Sequence, residues 1–138
     1  MKSILLFLSL CALLSCVSQK SNSQNGFLEG ITGLFEGNCM PAPGQEPCKP
    51  KPISTLVYVT KPSEKFNQEL LVTTILSKED GSFKVDLAPG KYSLFLKDGD
   101  EKICDGLNCD GDDCYCTLVE IKKDSTTSVK VNIDHATW

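Results

Sequence analysis

The middle of the sequence alternates apolar and polar residues with a period of two. SFKVDL at 82–87 and KYSLFL at 91–96 follow this pattern, and Pro89-Gly90 lies between them. Because successive side chains of a β-strand point to opposite faces, the alternation predicts two strands joined by a turn. On a helix, Phe83 and Val85 would lie on opposite sides and leave no continuous apolar stripe.

Five other short segments are rich in β-branched or aromatic residues and are bounded by turn-forming residues. They are residues 30–35, 55–60, 70–76, 116–122 and 126–133. Seven short strands without a helical segment predict an all-β fold, a seven-stranded β-sandwich. Alternation places three sets of side chains in its core. These sets are Phe83, Val85 and Leu87; Tyr92, Leu94 and Leu96; and Val129, Val131 and Ile133.

The first fifteen residues have the features of an export signal. Lys2 provides a basic start, and residues 4–14 form an apolar run that is too short to cross a bilayer as a helix. The run ends in LLSC, which resembles a bacterial lipobox, so we predict lipidation of Cys16. An ordinary secretory signal with an incidental Cys16 is the alternative. The predicted segments are a lipoprotein signal peptide at 1–15, a lipid anchor and flexible tether at 16–27, and a domain at 28–138.

The residues after Cys16 also predict where the protein resides. Val17 is not the aspartate that retains lipoproteins at the inner membrane in some bacteria, which favours the bacterial outer membrane. Residues 17–25 lack an acidic run resembling a surface-export signal. We therefore expect a lipid-anchored protein that faces the periplasm, with the cell surface as the alternative.

Export makes disulfide bonds the expected state of the cysteines. Apart from Cys11 and Cys16, six cysteines remain: Cys39, Cys48, Cys104, Cys109, Cys114 and Cys116. Proximity favours a bond between the first two and pairing within the other four. A Cys114–Cys116 bond would strain a ring with one intervening residue, so each of these is expected to pair with Cys104 or Cys109.

The stretch CDGLNCDGDDCYC at 104–116 combines four cysteines with four aspartates. Its cysteine spacing matches no usual zinc or iron–sulfur framework. Hard carboxylate oxygens make Ca²⁺ a possible ligand, but the stretch fails the EF-hand pattern, so a solvated acidic loop is favoured. Thiol-redox chemistry is a further alternative, although acidic neighbours favour the protonated thiol. The calcium ligands would be Asp105, Asn108, Asp110, Asp112 and Asp113.

Charge and motifs argue against nucleic-acid binding and catalysis. Loss of Lys2 with the signal leaves 13 lysines (14 − 1) against 18 acidic residues, a net charge of about −5, and no arginine is present. His135 is the only histidine, and no nucleophile motif surrounds it. We expect a protein that is not an enzyme, has no resident cofactor and binds no nucleic acid.

A proline-rich segment at 40–52 is the main candidate contact surface. It contains five prolines in thirteen residues and begins inside the predicted Cys39–Cys48 clamp. Such a composition predicts a stiff extended loop. We interpret it as a connection, with recognition of a partner as the alternative. For Trp138 we expect packing against the domain rather than docking onto a partner.

Three segments resemble the carboxypeptidase regulatory-like, or transthyretin-like, domain. They are GITG at 30–33, DGSFKVDLAPGKY at 80–92 and the valine-rich last strand, and the resemblance extends over about residues 28–134. It implies a Greek-key β-sandwich that acts as a non-catalytic spacer, stalk or binding platform. GNCMPAPG at 37–44 also resembles a loop of small lipoproteins of this type from the Bacteroidetes. The cysteines are an addition to this pattern, so the resemblance implies no role for them.

Together these features predict a non-catalytic, lipid-anchored module of the cell envelope with a structural or protein-interaction role. Its contact with the membrane is through the lipid, and an envelope protein is the candidate partner. The alternatives are a calcium- or ligand-binding module that uses the acidic loop at 98–116, and a thiol-redox lipoprotein. Since the predicted domain would form the whole mature chain, no enzyme is expected beside it.

Overall fold

The computed structural model describes residues 24–138. The predicted signal peptide at 1–15, Cys16 and most of the tether lie outside the described residues. The first strand begins at Gly26, so the last two residues of the predicted tether belong to it. Residues 24–138 contain no helix that could span a bilayer, and their one helical element is a single 3₁₀ turn at Gln68–Leu70.

Eleven strands form an all-β fold, where the sequence predicted seven. In chain order they are β1 (Gly26–Asn38), β2 (Lys51–Pro52), β3 (Leu56–Thr60), β4 (Leu71–Leu76), β5 (Ser82–Leu87), β6 (Gly90–Asp98), β7 (Glu101–Ile103), β8 (Leu107–Asp110), β9 (Asp113–Cys116), β10 (Leu118–Ile121) and β11 (Thr126–Thr137). Six of the predicted strands lie where expected. The seventh, at 116–122, is interrupted at Thr117, whose φ of 30° is incompatible with a continuous strand.

The strands form two main sheets and one separate hairpin. In sheet A, β1 pairs in parallel with β11 on one side and antiparallel with β5 and β2 on the other. Sheet B has the order β10-β6-β3-β4 with antiparallel pairing, and β7 also pairs with β6. The hairpin consists of β8 and β9.

Sheets A and B pack face to face around one apolar core. Sheet A contributes residues such as Leu28 and Val131, and sheet B contributes residues such as Val57 and Ile121. The core predicted from alternation is confirmed. Its members Phe83, Leu87, Tyr92, Leu94, Leu96, Val131 and Ile133 are buried, and Val85 and Val129 are partly buried against them.

Two local contacts explain the turns on either side of β5. The carboxylate of Asp80 accepts hydrogen bonds from the backbone N–H (2.9 Å) and hydroxyl (2.6 Å) of Ser82. Gly81 has a φ of 80°, and a Cβ there would lie 2.4 Å from the carbonyl oxygen of Thr32. After β5, the Tyr92 hydroxyl donates a 2.5 Å hydrogen bond to the carbonyl of Ala88, as in the tyrosine corners of β-sandwiches.

A buried pair of hydroxyl groups connects sheet A to the segments that cross to sheet B. Thr32 and Ser77 are both buried, and their hydroxyl oxygens lie 2.8 Å apart. Thr32 donates to the carbonyl of Ile53 at 2.5 Å, and Ser77 accepts from the backbone N–H of Thr55 at 2.9 Å. No buried side-chain N or O atom in residues 24–138 lacks a partner. The Thr of the GITG segment is therefore a structural residue.

A second layer of side chains covers the outer face of sheet B. Tyr58, Phe66 and Phe95 form edge-to-face contacts with centroid separations of 5.4 and 5.7 Å. The ammonium group of Lys102 lies 5.3 Å from the Tyr58 ring centroid and 5.0 Å from that of Phe66. We call these four residues the outer cluster. Phe95 is 1% exposed although it faces away from the core between the sheets.

Candidate functional site

The cysteine-rich stretch forms a hairpin held by two disulfides. β8 and β9 pair antiparallel with Cys109 opposite Cys114, and a disulfide joins these two residues across the strands. A second disulfide, Cys104–Cys116, closes the base. This agrees with the expectation that Cys114 and Cys116 pair with the two earlier cysteines. We call residues 104–116 the cystine hairpin, which the sequence analysis interpreted as a loop.

The base of the cystine hairpin covers part of the outer face of sheet B. Cys116 is fully buried, and its backbone N–H donates a 2.8 Å hydrogen bond to the carbonyl of Ser63. The backbone N–H of Ser63 in turn donates to the hydroxyl of buried Ser93 at 3.0 Å. The Sγ atom of Cys116 lies 2.9 Å from the carbonyl oxygen of Leu94. Cys116 therefore packs the base of the cystine hairpin against β6, and the Cys104–Cys116 bond closes that base.

Two of the five predicted calcium ligands accept backbone hydrogen bonds, and the other three lie at the tip of the hairpin. Asp105 accepts a 3.0 Å hydrogen bond from the backbone N–H of Asn132, and Asn108 accepts one of 2.8 Å from that of Leu118. Burial raises the pKa of the Asp105 carboxyl despite this hydrogen bond. In the described part of the chain, no three His, Cys, Asp or Glu side chains are grouped to hold a metal. The remaining predicted ligands, Asp110, Asp112 and Asp113, are exposed at the hairpin tip.

The thiol-redox alternative concerned Cys114 and Cys116. In the structure these two residues belong to different disulfides, and all six cysteines of the domain are paired, Cys39 with Cys48. Cys109 is exposed, whereas Cys116 is buried. Reductant therefore has direct access to the tip disulfide but not to the Cys116 sulfur.

His135 lies on β11, and its side chain pairs with a carboxylate. Its Nε2 atom lies 2.8 Å from Oδ2 of Asp98, the last residue of β6. The hydrogen bond to Asp98 and the charge of that carboxylate raise the pKa of the imidazole. The pair therefore links the end of sheet A to the end of sheet B.

The proline-rich segment begins in a loop that is closed at both ends. The Cys39–Cys48 disulfide joins its ends, and the backbone N–H of Cys39 donates a 2.8 Å hydrogen bond to the carbonyl of Thr137. Within it, the N–H of Gln45 donates to the carbonyl of Ala42 at 3.1 Å. We call residues 39–48 the clamped loop. These bonds hold it beside the end of β11.

Trp138 lies against the clamped loop and remains accessible. Its ring forms an edge contact with Phe35 at 5.6 Å, and its Nε1 group donates a 2.8 Å hydrogen bond to the carboxylate of Asp134. Trp138 is nevertheless 57% exposed, and Met40 is 52% exposed. Trp138 and the clamped loop line a concavity of about 310 Å³. We call Trp138 and the clamped loop, which includes Met40, the aromatic patch.

Sequence reasoning anticipated part of this patch. The proline-rich segment and the Cys39–Cys48 pair were singled out, packing against the domain was favoured for Trp138 over docking onto a partner, and Met40 was not selected. The structure shows that Trp138 packs on Phe35 and is also exposed. The sequence feature that could have indicated Met40 is its position next to Cys39, because methionine is enriched in protein interfaces.

No protein-family model matches the chain, and no curated protein matches its sequence. The resemblance to the carboxypeptidase regulatory-like domain thus stays a prediction.

Proposed function

We propose that the protein is a non-catalytic, lipid-anchored module of the bacterial cell envelope that binds a protein partner through the aromatic patch. The observation that carries this proposal is the state of Trp138, which is 57% exposed yet held by a ring contact and a hydrogen bond. Large aromatic side chains that are rigid before binding lose little conformational entropy in a complex. Tryptophan is also among the residues that contribute most to binding energy in interfaces.

The rest of the patch has the shape that such a contact needs. The clamped loop is fixed at both ends, and its concavity beside Trp138 has room for one large apolar side chain of a partner. Met40 can adapt its unbranched side chain to the shape of that partner. We infer a partner that inserts an apolar residue between Trp138 and the clamped loop.

The proposal includes the family and the location. We propose a transthyretin-like Greek-key sandwich of the carboxypeptidase regulatory-like type, enlarged by the cystine hairpin. The Asp80-Gly81 turn and the hydrogen bond of Tyr92 to Ala88 support this assignment. The LLSC sequence before the tether supports lipidation of Cys16, and Val17 supports an outer-membrane location. In the described residues no three candidate ligands are grouped to hold a metal, and Cys114 and Cys116, the pair of the thiol-redox alternative, belong to different disulfides.

Site-specific photo-crosslinking tests the patch in living cells. A photoreactive residue replaces Met40 in one strain and Leu107 in another. Leu107 is also 52% exposed but belongs to the cystine hairpin. We expect a discrete cross-linked product from position 40 and none from position 107. Equal products from both positions, or none from position 40, would contradict the proposal.

A substitution at the centre of the patch completes the test. Trp138→Ala should reduce the position-40 product by at least about tenfold, because truncation of an interface tryptophan typically costs about 2 kcal/mol or more. Leu107→Ser is the matched control and should leave the product unchanged. The thermal unfolding midpoint of each variant is measured alongside, so that loss of the fold is not mistaken for loss of the partner.

A further inference from the structure

A cleft separate from the aromatic patch crosses sheet A. Its volume is about 730 Å³, and it is lined by parts of β1, β5, β11 and the end of β4. One row of cross-strand neighbours, Val129, Gly30 and Phe83, lies along it. We call it the basic cleft. Its size lies within the range of sites that bind single small molecules.

Apolar side chains that face solvent line this cleft. Leu76 is 64% exposed and Ile31 is 47% exposed, although both belong to strands and have apolar neighbours. Ile75 adds a partly buried apolar surface that continues into the core. Exposed apolar groups that share one concavity are a favourable surface for the apolar part of a ligand, since binding removes them from water.

Three lysines from three different segments line the same cleft. They are Lys78 in the β4–β5 connection, Lys84 on β5 and Lys130 on β11. Within residues 24–138 none of them forms an ion pair, and the Lys84 ammonium lies 4.7 Å from the ring centroid of Phe27. The ammonium groups of Lys78 and Lys130 are therefore available to an anion, and that of Lys84 would exchange its ring contact for one.

The charge of this region is opposite to that of the whole protein. The chain carries a formal net charge of −4. Glu29 is the one acidic residue of the cleft lining, and its carboxylate accepts a 3.3 Å hydrogen bond from Ser128. A general affinity for anions is unfavourable on an acidic protein, so the three lysines define a local site. Ammonium groups bind carboxylate, sulfate and phosphate oxygens through charge-assisted hydrogen bonds.

We propose that the basic cleft binds a single amphiphilic anion, a small molecule with an acidic head group and an aliphatic or aromatic body. The head group contacts Lys78, Lys84 and Lys130, and the body covers Ile31 and Leu76. A concavity of this volume has room for one small molecule. The inference goes beyond the proposed protein interaction and uses a different surface.

Titration with matched surfactants tests the proposal. The protein carries Cys16→Ser to prevent lipidation and is purified without detergent. Decyl sulfate and decyltrimethylammonium share one apolar tail and differ in the sign of the head group, and both are used below their micelle concentrations. Calorimetry should detect one saturable site for decyl sulfate and at least about tenfold weaker binding of the cation. Equal binding of the two surfactants, or no saturable site, would overturn the proposal.

Charge-matched variants locate the anion. The triple variant Lys78→Gln, Lys84→Gln, Lys130→Gln should weaken decyl sulfate binding at least about tenfold. The control variant Lys91→Gln, Lys122→Gln, Lys123→Gln changes the net charge equally outside the cleft lining and should bind within about twofold of the parent. If both variants lose binding equally, the attraction is due to net charge and the proposed site is wrong.

Methyl NMR spectra and a vesicle control identify the source of the anion. Decyl sulfate should shift the methyl signals of Ile31, Ile75 and Leu76 and leave that of Leu107 unchanged. Trp138→Ala should not alter this binding, so failure of the cleft proposal and failure of the partner proposal are distinguishable. Binding to phosphatidylglycerol vesicles without binding to monomeric decyl sulfate would replace the single-molecule site by a membrane surface.

Discussion

The outer face of sheet B is covered by other segments of the chain, whereas the outer face of sheet A is open to solvent. On sheet B, the outer cluster, the segment at 61–67 and the Cys104–Cys116 disulfide cover the face, and Phe95 is 1% exposed. On sheet A, Phe27 and Ile31 alternate with buried residues of β1 and remain 38% and 47% exposed. The covered face contributes stability, whereas the open face leaves apolar groups available for binding. Substitutions on the two faces should therefore change the free energy of unfolding by different amounts.

The largest effect is expected from paired aromatic truncations on the two faces. Phe95→Ala should lower the free energy of unfolding by about 3–5 kcal/mol, because it removes a fully buried ring. Phe27→Ala should cost about 1 kcal/mol or less, since that ring is already partly hydrated. Urea unfolding of both variants checks the comparison. Similar losses would mean that the outer cluster is not a second core.

Removal of the base disulfide should have the next largest effect. The double variant Cys104→Ser, Cys116→Ser breaks a disulfide between residues 12 apart and exposes part of the outer face of sheet B. It should lower the free energy of unfolding by about 3 kcal/mol. Cys109→Ser with Cys114→Ser opens a link of separation 5 at the exposed tip and should cost about 2 kcal/mol. Denaturant midpoints of the two double variants give the difference. A larger loss for the tip pair would refute the structural role of Cys116.

A smaller difference is expected between the two lysines that lie over aromatic rings. Lys102 contacts the rings of Tyr58 and Phe66, whereas Lys84 contacts the ring of Phe27 alone. Lys102→Gln should therefore cost about 1 kcal/mol, and Lys84→Gln about 0.5 kcal/mol. Double-mutant cycles with Phe66→Leu and Phe27→Leu isolate each pair. The prediction fails if the Lys84 pair has the larger coupling energy.

The smallest effect concerns the ion pair that joins the ends of the two sheets. The pKa of His135 is raised above its ordinary value of 6.5, chiefly by the hydrogen bond to Asp98. The stabilisation is thus fully present below that value and is lost as the pH rises through the raised pKa. Wild type should lose slightly more stability than His135→Gln between about pH 5.5 and pH 8.5. An Asp98→Asn variant should return the NMR titration of His135 towards the ordinary value; an unchanged titration would rule out the pair in solution.

The alternation of apolar and polar residues was sufficient to predict the core between the sheets. It did not predict which segments cover the outer face of sheet B. It placed Tyr92, Leu94 and Leu96 in the core between the sheets, where they lie. It did not predict the burial of Ser93 and Phe95. The residues that cover them lie about 30 positions earlier in the chain, at Ser63 and Phe66, and about 20 positions later, at Cys116. Local periodicity carries no information about such distant contacts.

The cystine hairpin and the cleft were beyond sequence reasoning for related reasons. β8 and β9 have only four residues each, too few for a period-two pattern to distinguish a strand from a loop. Their pairing accompanies the Cys109–Cys114 bond and a turn with Gly111 at a φ of 64°. Thr117 enters the left-handed region to turn the chain into β10, which no propensity predicts for a β-branched residue. The lysines of the basic cleft lie on segments that only the sheet topology brings together.

The parallel pairing of the first and last strands has a mechanical consequence. β1 and β11 run side by side from Phe27 and Thr126 to Asn38 and Thr137. A force that pulls the start of β1 away from the end of β11 acts along both strands, so all the hydrogen bonds between them are loaded in shear at once. Forced unfolding then requires the whole ladder to slide, and its rate limits rupture. With the proposed anchor before β1 and the proposed partner at Trp138, a pull between them would load this ladder in shear.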